Sequence, residues 1–161
     1  LHAQDGIRDC TRSLVGSEMC IRDRVNDQYG HAFGDQVLQQ ASQILRDSVG
    51  TIDHLGRIGG EEFSVGAVAA EPNHGAELAM RIIRRFRTHP WSNLRPGLQI
   101  TCSIGVAVLD PTRTAIRGIS TLEELLDQAD KVLYREKEKG RDGYAVFEPG
   151  PRPSFTKALG S

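Results

Sequence analysis

The sequence predicts an α/β chain built as an α+β sandwich, with helices covering a sheet. Three observations predict it. Three segments carry apolar residues at intervals of three and four, β-branched or apolar runs lie between them, and glycine-rich turns separate the two kinds. At 161 residues, 39 % hydrophobic and 25 % charged, the chain suits a single globular domain with one sizeable core.

The first 24 residues, LHAQDGIRDCTRSLVGSEMCIRDR, show neither period and offer only Leu14-Val15 as an apolar pair. Residues 1–24 are therefore expected to be non-native or unstructured. Regular patterning begins near Val25, with the polar loop NDQYGHAFGD. Asp35 is a candidate N-cap for a helix whose stripe is Val37, Leu38, Ala41, Ile44, Leu45 and Val49. Next, the Gly-Gly pair in IGGEEFSVGAVAA predicts a β-hairpin, with Phe63, Val65 and Ala67 on one face of its second strand. A second helix has Leu78, Ala79, Ile82, Ile83 and Phe86 inside. Arg81, Arg84, Arg85 and Arg87 form a face expected to be solvated.

LQITCSIGVAVL places Ile100, Cys102, Ile104, Val106 and Val108 on one face and small residues on the other, the pattern of a strand covered on both sides in the middle of the sheet. Thr121 and Glu124 make a capping box for a third helix with the stripe Leu122, Leu125, Leu126, Ala129, Val132 and Leu133. Lys137 and Arg141 fall at and just beyond its end. A short strand over residues 144–147 closes the domain, set at residues 25–148, and residues 149–161 are Pro/Gly-rich and expected to be a disordered tail.

A formal charge of -1 gives no bulk field to draw in nucleic acid or an anionic membrane, so a phosphate ligand would be held locally. The three cysteines, Cys10, Cys20 and Cys102, lack metal-site or CxxC spacing, which points to a reducing, cytoplasmic setting. No apolar stretch approaches the roughly 20 residues of a membrane helix.

The stretch Arg57-Ile58-Gly59-Gly60-Glu61-Glu62-Phe63 carries the chemistry. Two glycines allow a tight turn and close approach of backbone N–H groups to a ligand. Two adjacent carboxylates offer oxygens to a hard cation. Taken alone, such a hairpin can equally be a solvated turn.

The GGEEF run is an accepted form of the signature of diguanylate cyclases, and three more motifs of that family follow the same order. They are Asn26-Asp27 through Gly30-His31 to Gly34-Asp35, Ser103-Ile104-Gly105-Val106, and Ala129-Asp130 through Tyr134, Lys137, Gly140 and Arg141. The chain thus resembles a GGDEF domain, which implies a ferredoxin-like, nucleotide-cyclase palm fold with a mostly antiparallel central sheet. It also implies condensation of two GTP into cyclic di-GMP. By the same resemblance, Asn26 and Asp35 would hydrogen-bond guanine, Gly59 and Gly60 would approach the phosphates, and Lys137 and Arg141 would hold the terminal phosphates. Glu61 and Glu62 would bind Mg²⁺ (or Mn²⁺), Glu61 also assisting deprotonation of the attacking 3′-hydroxyl. Catalysis would need a homodimer, because each domain holds one GTP. The residues by themselves allow simpler roles: Asp35 as a cap, Asn26 as a turn residue, and Lys137 and Arg141 as cations at a helix C-terminus.

The sequence departs from the family pattern in two places. Members carry an apolar strand ending in D-x-D-x-F-K before the N-D motif. Here Glu18 stands at the metal-binding Asp, with Cys20, Arg22 and Asp23 at the following positions, and SLVGSEMCIRDR resembles a translated sequencing-adapter read-through. The first central strand is therefore expected to be missing, and an intact protein is expected to carry it, with a sensor domain and any membrane anchor further upstream. The alternative function is an inactive GGDEF module that binds GTP without turnover. Secondly, the product-binding R-x-x-D reads Gly50-Thr51-Ile52-Asp53, from which weak product inhibition is expected.

Overall fold

The computed structural model describes residues 11–18, 29–69, 73–109 and 122–147. In chain order these form β1 (Thr11–Glu18), α1 (His31–Arg46), β2 (His54–Gly59), β3 (Glu62–Ala69), α2 (His74–Thr88), a short 3₁₀ turn (Trp91–Asn93), β4 (Ser103–Leu109), α3 (Leu122–Glu138) and β5 (Tyr144–Val146). The five strands make one sheet in the order β2-β3-β1-β4-β5. Every pairing is antiparallel except β4 with β5.

Each helix forms where the apolar stripe called for it. Helix α1 buries Val37, Leu38, Ala41, Ile44 and Leu45, and α2 buries Leu78, Ala79, Ile82, Ile83 and Phe86. Both stripes join Phe63, Val65, Ala67, Ile100, Cys102, Ile104 and Val106 in the main core, on one face of the sheet. The opposite face belongs to α3, whose Leu125 and Ala129 cluster with Ala107. Strand β4 is thus covered on both sides, as its alternation of large and small residues requires. Trp91 closes the end of the core, its indole N–H donating to the Phe86 carbonyl at 2.8 Å.

Two expectations are corrected here. The slot of the first central strand, expected to be empty, is taken by Thr11–Glu18, which pairs along its length with β3 on one side and with β4 on the other. β4 is consequently an interior strand but not the middle one. The physical reason is that β3 and β4 each present a row of backbone N–H and C=O groups toward the slot, and these need a partner of any side-chain type. The segment TRSLVGSE has no proline to interrupt such pairing. Residues 1–10 and 19–24 of the N-terminal stretch, Asn26, the Thr121 cap and the tail after residue 148 lie outside the described residues. Among the described residues no helix is long and apolar enough to cross a membrane.

The cationic face of α2 is also more structured than a solvated surface. Arg81 donates from Nε and Nη2 to the Ser48 carbonyl at 3.1 and 2.8 Å, satisfying an acceptor just past the end of α1. Arg87, in the last turn of the helix, binds Asp142.

Candidate functional site

Strands β2 and β3 meet at the predicted hairpin, whose tip is Gly60-Glu61. Gly60 takes φ 27, a left-handed value that favours glycine. A bulge between Arg57 and Gly59 shifts the register and turns Ile58 out to solvent. Arg57 closes the turn: its Nε and Nη2 donate to the Gly60 carbonyl at 2.9 and 2.5 Å. Because a peptide unit is planar, fixing that carbonyl also fixes the direction of the Glu61 N–H. Arg57 stands three residues before the second glycine, a spacing that lets its guanidinium reach back to the turn.

The strand register carries this turn across the sheet. Glu62 lies opposite Glu18, and Glu18 lies opposite Ser103. Three strands therefore end in one row, about 10 Å from Glu62 to Ser103 at the usual strand spacing of about 4.8 Å. Among the described residues no group of three or more His, Cys, Asp or Glu converges as a complete metal cage. Glu61 and Glu62, adjacent carboxylates at the turn, are donors of the kind by which Mg²⁺ is commonly held together with substrate phosphates.

Ser103 extends the row to the other predicted cluster. Its hydroxyl accepts from the Asp142 N–H at 3.2 Å, and the Ile104 N–H donates to the Gly143 carbonyl at 2.9 Å. The turn from Gly140 to Gly143 thus sits at the same end of the sheet as the hairpin. It begins as a glycine-terminated helix end: the Gly140 N–H donates to the Lys137 carbonyl, the Arg141 N–H to that of Glu136, and Gly140 has φ 121. Arg141 and Asp142 follow with φ 66 and 57. An Arg in this region costs on the order of 1 kcal/mol, so the surroundings must hold it there. Lys137 and Arg141 lie close enough to affect one another. Partial burial first, and then the Arg141 charge, lower the Lys137 ammonium below the ordinary lysine value.

On the hairpin's other side, a cleft of about 810 Å³ runs between α1 and β2, lined by Asp35, Leu38, Gln39, Arg57 and Phe63 among others. Asp35 is not the helix cap. The helix starts one turn earlier, with Gly30 at φ 81 as its N-cap and the Gly34 N–H bonded to the Gly30 carbonyl. Asp35 therefore points from within the helix into the cleft wall instead of serving the helix end. Elsewhere, the Asp53 carboxylate accepts from the Gly50 N–H at 2.6 Å, closing its own loop. Cys102 is a buried free thiol whose pKa burial pushes up to about 12, with the Asp142 carboxylate adding to the rise.

The structure therefore brings Gly59, Gly60, Glu61, Glu62, Lys137 and Arg141 to one end of the sheet, with Asp35 in the adjoining cleft. Glu18 stands in that row by backbone register. The sequence reading did not find Ser103, Asp142 and Arg87 as the residues that hold the Arg141 turn, because their partners lie 39 and 55 positions apart.

A family model described as the diguanylate cyclase GGDEF domain matches residues 22–143. The bifunctional diguanylate cyclase/cyclic di-GMP phosphodiesterase MucR of Pseudomonas aeruginosa is 36% identical over 146 residues, covering 90% of this chain and 20% of that protein. Diguanylate cyclase DgcS of Shewanella oneidensis is 36% identical over 134 residues, covering 83% of this chain and 42% of its own length. This chain thus spans less than half the length of these two relatives. Among solved structures, the active GGEEF domain of a diguanylate cyclase from Vibrio cholerae superposes with a TM-score of 0.74 at 26% identity, covering 87% of this chain and 85% of that one. With its motifs, its sheet and these likenesses in agreement, the chain belongs to the GGDEF domain family of diguanylate cyclases.

Proposed function

We propose that this chain is the cyclising domain of a diguanylate cyclase, condensing two GTP into cyclic di-GMP and two pyrophosphates. The observation that supports the reading is the row at one sheet end, which has the Gly59-Gly60 turn with Glu61 and Glu62 at one side and the turn of Lys137 and Arg141 at the other, with the Asp35 cleft adjoining the hairpin. Asp35, with Asn26, binds guanine by accepting from its N1 and exocyclic amine hydrogens, a donor pair that adenine lacks. Backbone N–H groups of the hairpin take the phosphates nearest the turn. Lys137 acts as a point charge and Arg141 as a fork on the terminal phosphates. Mg²⁺ or Mn²⁺, held by Glu61, Glu62 and Glu18, would supply neutralisation of the phosphate charge. Glu61 takes the proton as each 3′-oxygen forms a bond to the α-phosphorus of the other GTP and pyrophosphate leaves. One GTP per domain makes a homodimer the working unit, and an N-terminal sensor domain in the intact protein would control its assembly.

The test is incubation of the chain with GTP and Mg²⁺, with products separated chromatographically and weighed by mass spectrometry. Cyclic di-GMP and pyrophosphate are expected, and Asp35→Ala should abolish the preference for GTP over ATP in binding. A second reading, GTP binding without turnover, draws on the family match starting at residue 22, after β1, and on Glu18 standing where the family pattern has Asp. Tight GTP binding with no product from a dimer would establish that reading and overturn the first.

A further inference from the structure

We propose that Arg87, on α2, is a positioning residue for phosphate binding, acting by clamping Asp142 so that Arg141 is held in its left-handed conformation at the sheet end. The inference rests on the reading of Arg141 as a phosphate ligand.

The geometry is specific. The Arg87 Nε lies 3.1 and 3.0 Å from the two carboxylate oxygens of Asp142, and its Nη2 donates to the Asp142 backbone carbonyl at 2.7 Å. One guanidinium thus grips both the side chain and the main chain of a single residue, which a lysine could not reproduce because it lacks the planar fork. Ser103 takes the same residue from the other side, accepting from its N–H. Asp142 is thereby fixed at three points, two of them on the peptide groups flanking its Cα.

That fixing reaches Arg141 through the backbone. Arg141 and Asp142 have consecutive positive φ values, and neither is glycine. Released from the clamp, the pair has the ordinary incentive to leave the left-handed region. The helix end fixes the near side through the Arg141 N–H bond to the Glu136 carbonyl. Arg87 is the contribution from a separate element, 55 positions away in sequence. As an exposed ion pair it is screened by solvent and adds little to stability. Its effect is to select one conformation of a short turn.

The test is a double-mutant cycle read by equilibrium binding, with GTP and GMP as probes in the presence of Mg²⁺. Arg141→Ala should weaken GTP binding about tenfold or more and leave GMP, which lacks the terminal phosphates, within about twofold. Arg87→Ala should show the same selectivity with a several-fold loss. In the double variant the loss should be no greater than in Arg141→Ala alone. Asp142→Asn, which keeps shape and backbone contacts, serves as the milder variant should Arg87→Ala unfold, and should reproduce a smaller GTP-selective loss. Arg87→Lys should not restore affinity. Losses that multiply in the double variant, or a loss shared equally by GTP and GMP, overturn the clamp while leaving the phosphate role of Arg141 standing. If Arg141→Ala itself binds GTP normally, both the clamp and the reading beneath it fall.

Discussion

Lys137 and Arg141 carry like charges at the end of one helix, and burial already disfavours the Lys137 ammonium. The negative charge of a polyphosphate placed against them offsets both penalties, so binding should raise the Lys137 pKa back toward its ordinary value. The sign of the pH dependence follows. The Lys137 contribution to binding is complete below its lowered pKa in the free protein, and it is lost progressively as pH rises from that value toward the higher pKa of the complex. An arginine at this position stays charged throughout. The ratio of GTP affinities, Lys137→Arg over the unsubstituted chain, should therefore grow with rising pH, and titration of the nucleotide itself cancels in the ratio. A ratio flat from neutrality to the lysine range would place Lys137 away from the phosphates. At this scale the sequence was only partly legible. The glycines and carboxylates of the hairpin stand out because turn chemistry is local. Asp35 was open to misreading as a cap because one helical turn, added at Gly30, decides whether its carboxylate serves the helix end or the cleft.

Among the described elements, α3 and β4 fit closely. A Cβ on Gly105 would lie 2.0 Å from the Ala129 carbonyl oxygen and 2.9 Å from the Leu133 Cβ. The first obstacle is backbone in the middle of a helix, which cannot rotate away. Gly105→Ala should therefore lift α3 off the sheet and cost about 1–3 kcal/mol of stability, measured as a lower midpoint in denaturant. Gly56→Ala is the matched control: its added Cβ meets only the Ser64 hydroxyl at 3.1 Å, so its loss should be well under that of Gly105→Ala. Equal losses would refute the packing argument. The helices were legible because an apolar stripe at helical spacing is a strong local signal. Strand β1 was not, since its position follows from the backbone groups of β3 and β4 and not from its own alternation. The Gly140 helix end, by contrast, could be read directly, because glycine after a basic last turn is a common stop signal.

For the whole molecule, the single row at one sheet end has a consequence for assembly. Each chain offers one Asp35 cleft, one hairpin and one Lys137–Arg141 pair, which under the proposed function serve a single GTP. Cyclisation joins two nucleotides in opposite senses, each 3′-oxygen facing the other's α-phosphorus, and two identical half-sites meet that requirement through a two-fold axis. Binding and turnover should therefore separate on dilution. GTP affinity per chain should be independent of protein concentration. The rate of cyclic di-GMP formation per chain should rise in proportion to concentration below the dimer dissociation constant and level off above it. Mixing chains inactivated separately by Asp35→Ala and Glu61→Gln should not restore a full site, because each mixed pair still lacks one base pocket and one general base. A turnover rate per chain that stays constant from nanomolar to micromolar, in a protein that sediments as a monomer, would refute the two-half-site arrangement.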